Sequence, residues 1–165
     1  MYNLGVLGLG AKDKYIPEQY KFNSSIEDRI NLLQGLMDTD GTVKKNGEAS
    51  FTTISKKLAL DVIEIVNSLG GRAVLRSRNR VGKVSILKGG REIVSKNISY
   101  EFNISLPESI NPFFISRKAS WHNCSYIYQP RIKTIEKVGE KDTRCIVIDN
   151  YENLYITDNY IVTHN

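Results

Sequence analysis

The segment from Ser25 to Gly41 constrains the fold more than any other part of the sequence. Ser25-Ile26-Glu27-Asp28 is a capping-box pattern, in which a serine begins a helix and an acid three residues later reaches back to it. Apolar residues then recur at helical spacing, at Ile26, Ile30, Leu33 and Met37. The pattern predicts a helix that ends at Asp40-Gly41.

Strand patterns and a second helix follow this helix. The second helix carries an apolar stripe from Ala59 to Leu69 and ends at Gly70-Gly71. The predicted strands are Glu48–Ile54, Arg72–Val81, Val84–Leu87 and Tyr100–Leu106. We predict a turn at Gly82-Lys83 between the second and third strands, and Pro107 ends the fourth.

Positive charge is concentrated in residues 72–96. The whole chain of 165 residues has 23 Lys plus Arg against 18 Asp plus Glu, whereas this window alone holds eight basic residues and one acid, Glu92. The basic residues are Arg72, Arg76, Arg78, Arg80, Lys83, Lys88, Arg91 and Lys96. Four of these arginines share one parity, so they would line a single face of a sheet: Arg72, Arg76, Arg78 and Arg80. Such a face suits the phosphates of double-stranded DNA, and a merely solvated face is the alternative.

Composition excludes several other classes of protein. No run approaches the roughly 20 apolar residues that span a bilayer, and the N-terminus lacks the layout of a secretion signal. Two cysteines, Cys124 and Cys145, cannot build a disulfide framework, and with only two histidines they make no zinc set. No serine lies in a nucleophile elbow, which argues against a Ser-His-Asp hydrolase. We therefore expect a cytoplasmic protein without a membrane partner.

A glycine and two acids suggest chemistry at the first helix. If Gly35 lies on the packing side, a second helix can approach closely and bring its own carboxylate beside the acid at the helix end. Paired carboxylates can hold Mg²⁺, which activates water and stabilises a leaving phosphate oxygen. The alternative is that Asp38-Thr39-Asp40-Gly41 is only a polar turn that ends a core helix.

The run Leu33–Gly41 resembles the LAGLIDADG motif of homing endonucleases at six of its nine positions. Lys14-Tyr15-Ile16-Pro17, Phe51-Thr52-Thr53, Ala59 and Leu69-Gly70 also fit the layout of that family. The resemblance implies an α+β fold, a half LAGLIDADG endonuclease unit of helix-strand-strand-helix type with an antiparallel saddle sheet on the DNA. It also implies that Asp40 is a metal ligand for Mg²⁺, while Asp38 caps or supports the helix end.

A single motif of this kind is at most half a nuclease, because cutting two strands requires two acidic sites. The resemblance implies that the missing half comes from another segment or from a second copy. The family carries an accessory lysine near such a site. The candidates are Lys56, Lys88, Lys96 and Lys118.

Short β-like runs dominate the end of the chain. They are Tyr126–Ile135, Arg144–Asp149, Leu154–Thr157 and Tyr160–Thr163, with a turn candidate at Asp158-Asn159. About 40 residues normally need outside help to fold, so this tail is expected to complete a sheet whose other strands come from elsewhere. The last three runs, followed by His164-Asn165, resemble the C-terminal splicing motifs of inteins. The resemblance implies the all-β C-terminal part of a Hint (intein) splicing domain.

The residue types at the tail suit backbone cleavage. The side-chain amide of Asn165 can attack its own carbonyl to form a succinimide, and His164 can protonate the leaving amine. Cys145 stands where many inteins carry an Asp or Cys that couples the terminal steps, and a small buried cysteine is the alternative. Splicing of this kind needs no cofactor.

Met1 is not a splicing nucleophile, so the chain is predicted to be the C-terminal fragment of a split intein, whether the split is natural or made in the laboratory. The expected regions are a lead-in at 1–22, an endonuclease half-domain at 23–120 and a splicing segment at 121–165. The predicted function is trans-splicing with an N-terminal intein fragment, which joins the exteins of a host protein. The alternatives are a Mg²⁺-dependent site-specific DNA endonuclease and a DNA-binding remnant without catalysis.

Overall fold

The computed structural model describes residues 4–86, 89–123, 131–149 and 151–164. The chain divides into two compact units, Met1–Ile127 (unit 1) and Tyr128–Asn165 (unit 2). The domain bounds expected from the sequence remain predictions. Residues named above that lie outside the described residues are Met1, Leu87, Lys88, Cys124, 126–130 and Asn165.

Unit 1 contains both helices and strands. The helices are α1 (Glu18–Lys21), α2 (Ile26–Thr39), α3 (Lys56–Ser68) and α4 (Ser116–Ala119). The strands are β1 (Gly41–Val43), β2 (Ala49–Thr53), β3 (Arg72–Ala73), β4 (Arg76–Arg78), β5 (Val84–Ile86), β6 (Glu92–Val94) and β7 (Ser99–Ser105). The α+β class with antiparallel pairing that the sequence predicts is confirmed.

Both predicted helices are confirmed, and each begins at a serine. Ser25 Oγ accepts the N–H of Asp28 at 3.0 Å, while Asp28 Oδ2 accepts the N–H of Ser25 at 3.3 Å, which completes the capping box of α2. Ser55 Oγ accepts the N–H of Leu58 at 3.1 Å at the start of α3. The end of α3 is followed by Gly70 with a positive φ of 75°, a conformation that glycine adopts without strain.

The main sheet has the order β1-β2-β7-β3, and β4 also pairs with β7. Ala73 faces Ile104 and Arg76 faces Glu101, so the register along β7 is continuous and β3 and β4 form one interrupted line. The sheet is therefore four lines wide and antiparallel throughout. Because the register is continuous, alternate side chains from Arg72 to Arg78 lie on the same face of the sheet.

The core lies between one face of this sheet and helices α2 and α3. Phe51 of β2 and Phe102 of β7 are paired in register and their ring centroids are 5.7 Å apart. Leu33 and Met37 of α2 are fully buried against this layer. Each buried side chain of this size contributes about 1.5–3 kcal/mol, so this layer fixes the position of the C-terminal end of α2.

The lead-in is fastened to α3 by buried polar contacts. Asp61 accepts the N–H of Ile16 at 2.8 Å and the ammonium of Lys21 at 2.9 Å. Ser55 Oγ donates to the carbonyl of Lys14 at 2.6 Å. The Lys14-Tyr15-Ile16-Pro17 run is thus part of the packed unit.

The hairpin predicted around Gly82-Lys83 is wrong. β5 pairs with β6 rather than with the strand before it, with Val84 opposite Val94. A turn does occur at Arg80–Lys83, where the N–H of Lys83 donates to the carbonyl of Arg80 at 2.9 Å and Gly82 has a φ of 81°. It bends one side of a longer hairpin, because the N–H of Gly82 bonds across to Ser95 at 2.8 Å. A local turn signal specifies the bend but not the partner strand.

Unit 2 contains β8 (Tyr155–Ile156), a 3₁₀ turn (Asp158–Tyr160) and β9 (Val162–Thr163) among its described residues. The last two predicted strands and the turn between them are therefore present in shortened form. The strand predicted at Arg144–Asp149 is wrong, and no strand occurs in 131–149. A strand needs a hydrogen-bonded neighbour, and the β propensity of this run cannot supply one. The all-β splicing part of the predicted fold remains a prediction.

Within the described part of the chain, no helix has the length and apolar character needed to cross a membrane.

Candidate functional site

Asp40 stands at the point where α2 passes into β1. Its N–H donates to the carbonyls of Leu36 and Met37, which makes it the C-cap of the helix, and its side chain is exposed. Gly41 follows in a space that admits no side chain, since an added Cβ would lie 2.5 Å from the Met37 carbonyl oxygen. The tight helix-to-strand turn therefore requires glycine and presents the Asp40 carboxylate to solvent.

Asp38 has a different environment. Its carboxylate is half-buried and accepts the backbone N–H groups of Phe114 at 3.2 Å and Ile115 at 3.1 Å. These two residues begin the segment 114–123, which we call the strap. Asp38 thus fixes the start of the strap to the end of α2.

Lys118 of the strap lies on the same helix end. Its ammonium donates to the carbonyls of Met37 at 2.9 Å, Asp38 at 2.7 Å and Gly41 at 2.7 Å. A cation is favourable there because the last carbonyls of a helix lack partners and carry partial negative charge. Of the other candidate accessory lysines, Lys56 is exposed at the start of α3 and Lys96 is exposed in the connection between β6 and β7.

Asp40 offers Mg²⁺ one carboxylate ligand, of the hard oxygen type that this ion prefers. No group of three or more His, Cys, Asp or Glu side chains suited to a metal occurs among the described residues. Mg²⁺ is commonly held by one or two carboxylates together with waters and phosphate oxygens. Asp40 can supply one such carboxylate, and the second carboxylate expected from a partner helix remains a prediction.

Gly35 faces open space on α2, with no atom within 4 Å of an added Cβ. The residue is exposed and lies one turn before Thr39, whose hydroxyl donates to the Gly35 carbonyl at 3.1 Å. The surface that the sequence assigns to a second helix is therefore uncovered within unit 1.

The sheet face opposite the helices, which we call the open face, carries polar side chains. Arg72, Arg76 and Arg78 lie on it in register and are exposed. Arg78 pairs with Glu101 across the ladder at 2.8 Å. Arg76 has no ion pair among the described residues, which leaves its guanidinium available to a phosphate.

A second polar cluster lies on the same face. Lys44 donates to Asn103 Oδ1 at 2.8 Å and lies 3.4 Å from Glu48. Hydrogen bonding from Asn46 and then from Lys44 lowers the pKa of Glu48, so this carboxylate stays charged and offsets Lys44. Lys44 and Arg78 are therefore each paired with an acid on this face, whereas Arg76 is in no ion pair among the described residues.

The other predicted DNA-binding residues lie beyond the open face. Arg80, Lys83, Arg91 and Lys96 are exposed around the hairpin of β5 with β6 or its base, and Arg80 follows the end of β4. The prediction that the strand face of Arg72, Arg76 and Arg78 continues to Arg80 is thus wrong, because the chain turns at Arg80. Binding of DNA by any of these residues remains a prediction.

Comparison with known proteins finds a family match within unit 1. Residues 27–103 match the LAGLIDADG-like domain family. Such a domain points to a homing-endonuclease or intein-related function.

Three curated relatives are helicases. The chain is 31% identical to the replicative DNA helicase DnaB of Mycobacterium intracellulare, over 98% of this chain and 27% of that protein. It is 36% identical to the replicative DNA helicase DnaB of Nostoc sp., in a match that covers 49% of this chain and 10% of that protein. It is also 36% identical over 39% of its length to 6% of the ATP-dependent DNA helicase Hel308 of Thermococcus kodakarensis. The chain therefore spans about a quarter or less of the relatives it matches.

The predicted splicing residues lie in unit 2. Cys145 is a free, exposed thiol, so it does not have the buried packing role that was its alternative. His164 is exposed and directly follows β9, whose Thr163 pairs with Tyr155. Asn165 lies outside the described residues. The catalytic roles of these three residues remain predictions.

The sequence analysis did not predict a groove that lies beside Asp40. Its lining residues are Gly41, Thr42, Val43, Arg117, Lys118 and Trp121. It also missed that the ring of His122 lies 2.9 Å from the Gly47 carbonyl, through Nδ1, and packs on the edge of Phe113. The one available signal was a tryptophan, Trp121, three residues after the adjacent cations Arg117-Lys118.

Proposed function

We propose that this chain is the C-terminal part of an intein and supplies the last cleavage of protein splicing. The observation that carries the proposal is the 98% coverage of this chain within 27% of a replicative helicase, with a shorter match to a helicase of another name. An element that is inserted into different host proteins and removes itself would give matches of this kind.

The helicase matches are not explained by an ATP-driven helicase activity of this chain. The P-loop pattern G-x-x-x-x-G-K-[ST], which binds the phosphates of ATP, does not occur in the 165 residues. The chain instead carries a LAGLIDADG-like domain over 27–103. The proposal assigns the helicase activity to the flanking host segments.

The proposed chemistry lies at the last two residues. The side-chain nitrogen of Asn165 attacks its own carbonyl carbon, the bond to the next residue breaks, and a succinimide and a free amine result. His164 donates the proton to the leaving amine, and Cys145 couples this step to the preceding transfer. An N-terminal intein fragment would supply the first acyl shift, and the extein nucleophile would receive the acyl group before Asn165 cyclises.

The need for a partner is supported by the strand content of unit 2. Its only described sheet is β8 with β9, two residues each, and such a pair is marginally stable by itself. Strands from an N-terminal fragment would extend this sheet. We place the reaction in the cytoplasm, where an exposed thiol such as Cys145 stays reduced.

The test appends a short extein that begins with Ser after Asn165. With the cognate N-terminal fragment we expect a ligated product, and the chain alone is expected to release the appended extein. Asn165→Ala should abolish release and His164→Ala should slow it, as followed by mass spectrometry. Asn67→Ala, on α3, is the matched control and should leave release unchanged. Release that is equal in Asn165→Ala and in the parent chain would refute the proposal.

A second candidate function, a Mg²⁺-dependent DNA endonuclease half, is favoured by the exposed Asp40 carboxylate beside Lys118. Its test is plasmid nicking in Mg²⁺ by the parent chain, by Asp40→Asn and by Asp13→Asn, an exposed acid of the lead-in. Nicking lost only in Asp40→Asn supports the endonuclease. Nicking that survives in Asp40→Asn removes Asp40 from the mechanism, and DNA binding without nicking supports the remnant.

A further inference from the structure

The groove beside the Asp40 turn is built from two different parts of unit 1. β1 contributes Gly41, Thr42 and Val43, and the strap contributes Arg117, Lys118 and Trp121. Its volume is about 460 Å³, within the range of about 300–1,000 Å³ that is typical of small-molecule sites. The contacts of Lys118 with Met37, Asp38 and Gly41 hold the strap in place and so keep the groove open.

Trp121 is the unusual member of this lining. Its side chain is 64% exposed, although tryptophan is usually well buried. Among the described residues its indole has neither a hydrogen bond nor a ring contact. A rigid aromatic face of this size is therefore free to stack on a planar ligand.

The charge of the groove indicates an anionic ligand. Arg117 is exposed and has no ion pair among the described residues, and the lining contains no acid. The nearby Asp38 carboxylate is occupied by two backbone N–H groups. A planar group next to a phosphate, as in a nucleotide, matches an aromatic face next to a guanidinium.

We propose that this groove binds an unpaired nucleotide of a DNA strand, with its base stacked on Trp121 and its phosphate on Arg117. The inference rests on the nucleic-acid binding of the second candidate function, and it adds a contact outside the open face. Because Gly41 in the groove follows Asp40 directly, the bound strand would pass beside the acid that is the candidate metal ligand.

The chain reports directly on this site, because Trp121 is its only tryptophan. Titration of the full chain with a single-stranded oligothymidylate is expected to quench tryptophan fluorescence saturably. A blunt duplex of the same length, which has no unpaired base inside it, should bind to the open face and quench much less. The absence of quenching by the oligothymidylate would overturn the proposal.

Variants separate stacking from general attraction. In anisotropy with labelled oligothymidylate, Trp121→Ala should weaken binding by roughly 10- to 100-fold, and Trp121→Phe should restore part of the loss. Phe114→Ala removes a 79% exposed aromatic of the same strap that does not line the groove, and it should bind as the parent chain does. Equal affinity in Trp121→Ala and Phe114→Ala would refute the stacking assignment.

Arg117→Gln tests the phosphate contact, and Lys12→Gln removes one exposed positive charge elsewhere as its control. We expect the loss of affinity for the oligothymidylate to be larger in Arg117→Gln, and equal losses would refute this contact. Duplex affinity is measured separately. If the parent chain does not bind the duplex but the oligothymidylate still quenches Trp121, the open face is refuted as a DNA-binding surface and the groove is supported. If the parent chain binds the duplex but the oligothymidylate does not quench Trp121, only the groove is refuted.

Discussion

Lys21 is a charged side chain that unit 1 buries almost completely. Its side chain is 5% exposed, as is that of its partner Asp61, and their charged atoms are 2.9 Å apart. Burial by itself would lower the pKa of Lys21, but the hydrogen bonds to Asp61, Glu64 and Glu18 outweigh it and the pKa is raised above 10.5. The stabilisation from this shift is present below the ordinary pKa and is lost only as the pH rises through the folded value. The ammonium therefore keeps its charge at all neutral pH values.

Asp61→Ala is expected to lower the free energy of unfolding by about 3–5 kcal/mol, because it leaves a buried ammonium without its buried partner. It also removes the acceptor of the Ile16 N–H and so releases the lead-in from α3. Urea denaturation measures the change. Glu18→Gln, at a partner that is 67% exposed, should cost less than about 1 kcal/mol. A similar small cost in Asp61→Ala would show that the buried pair is not maintained in solution.

Lys118 gives the second prediction at this scale. Lys118→Met keeps most of the length of the side chain but leaves the carbonyls of Met37, Asp38 and Gly41 without a donor, so it should cost about 1–3 kcal/mol of unfolding free energy. Any nicking in Mg²⁺ should fall as well, since the lysine lies at the Asp40 turn. Lys56→Met, at an exposed candidate on α3, should change stability by no more than about 0.5 kcal/mol. Equal effects of the two variants would contradict the placement of Lys118.

At the scale of the element, two glycines of one motif should respond oppositely to the same substitution. Gly41→Ala would place a Cβ against the Met37 carbonyl at the end of α2, and we expect a loss of about 1–3 kcal/mol. Gly35→Ala meets no atom in unit 1 and sits in a helix interior, so the chain alone should gain about 0.5–1 kcal/mol. Thermal unfolding of both variants is the measurement. A destabilised Gly35→Ala would show that this face of α2 is already covered in the free chain.

Helices α2 and α3 show which features of the fold local sequence can specify. The capping serines Ser25 and Ser55 and the stripes of α2 and α3 act within one element, so the sequence predicted both helices. The partner of β5 depends on a strand eight residues further on, and a turn signal at Gly82 contains no information about it. β1 and β6 were missed because three residues are too few to show alternation.

The candidate site was predictable to a similar extent. The apolar helical pattern ends at Met37 and is followed directly by Asp38, Asp40 and Gly41. The position of these three residues at the end of the helix could therefore be predicted from the sequence. The position of Lys118 at the Asp40 turn depends on the tertiary fold, since the residue lies 77 positions from Gly41 in the chain. Which of the four candidate lysines assists the site remains a prediction. Arg117 and Trp121 were missed for the same reason, because their groove exists only when the strap returns to β1.

At the scale of the whole molecule, the net charge of +5 is useful to DNA binding only where cations are not already paired with acids. On the open face Arg78 is paired with Glu101, whereas Arg76 is not in an ion pair among the described residues. Arg76→Gln should therefore weaken duplex binding and reduce the slope of log affinity against log salt concentration by about 1. Arg29→Gln makes the same charge change on α2, which covers the other face of the sheet, and should leave the slope unchanged. Anisotropy with a labelled duplex across a salt series gives both slopes. If the two variants change the slope equally, DNA responds to total charge alone and the register of β3, β4 and β7 does not create a binding face.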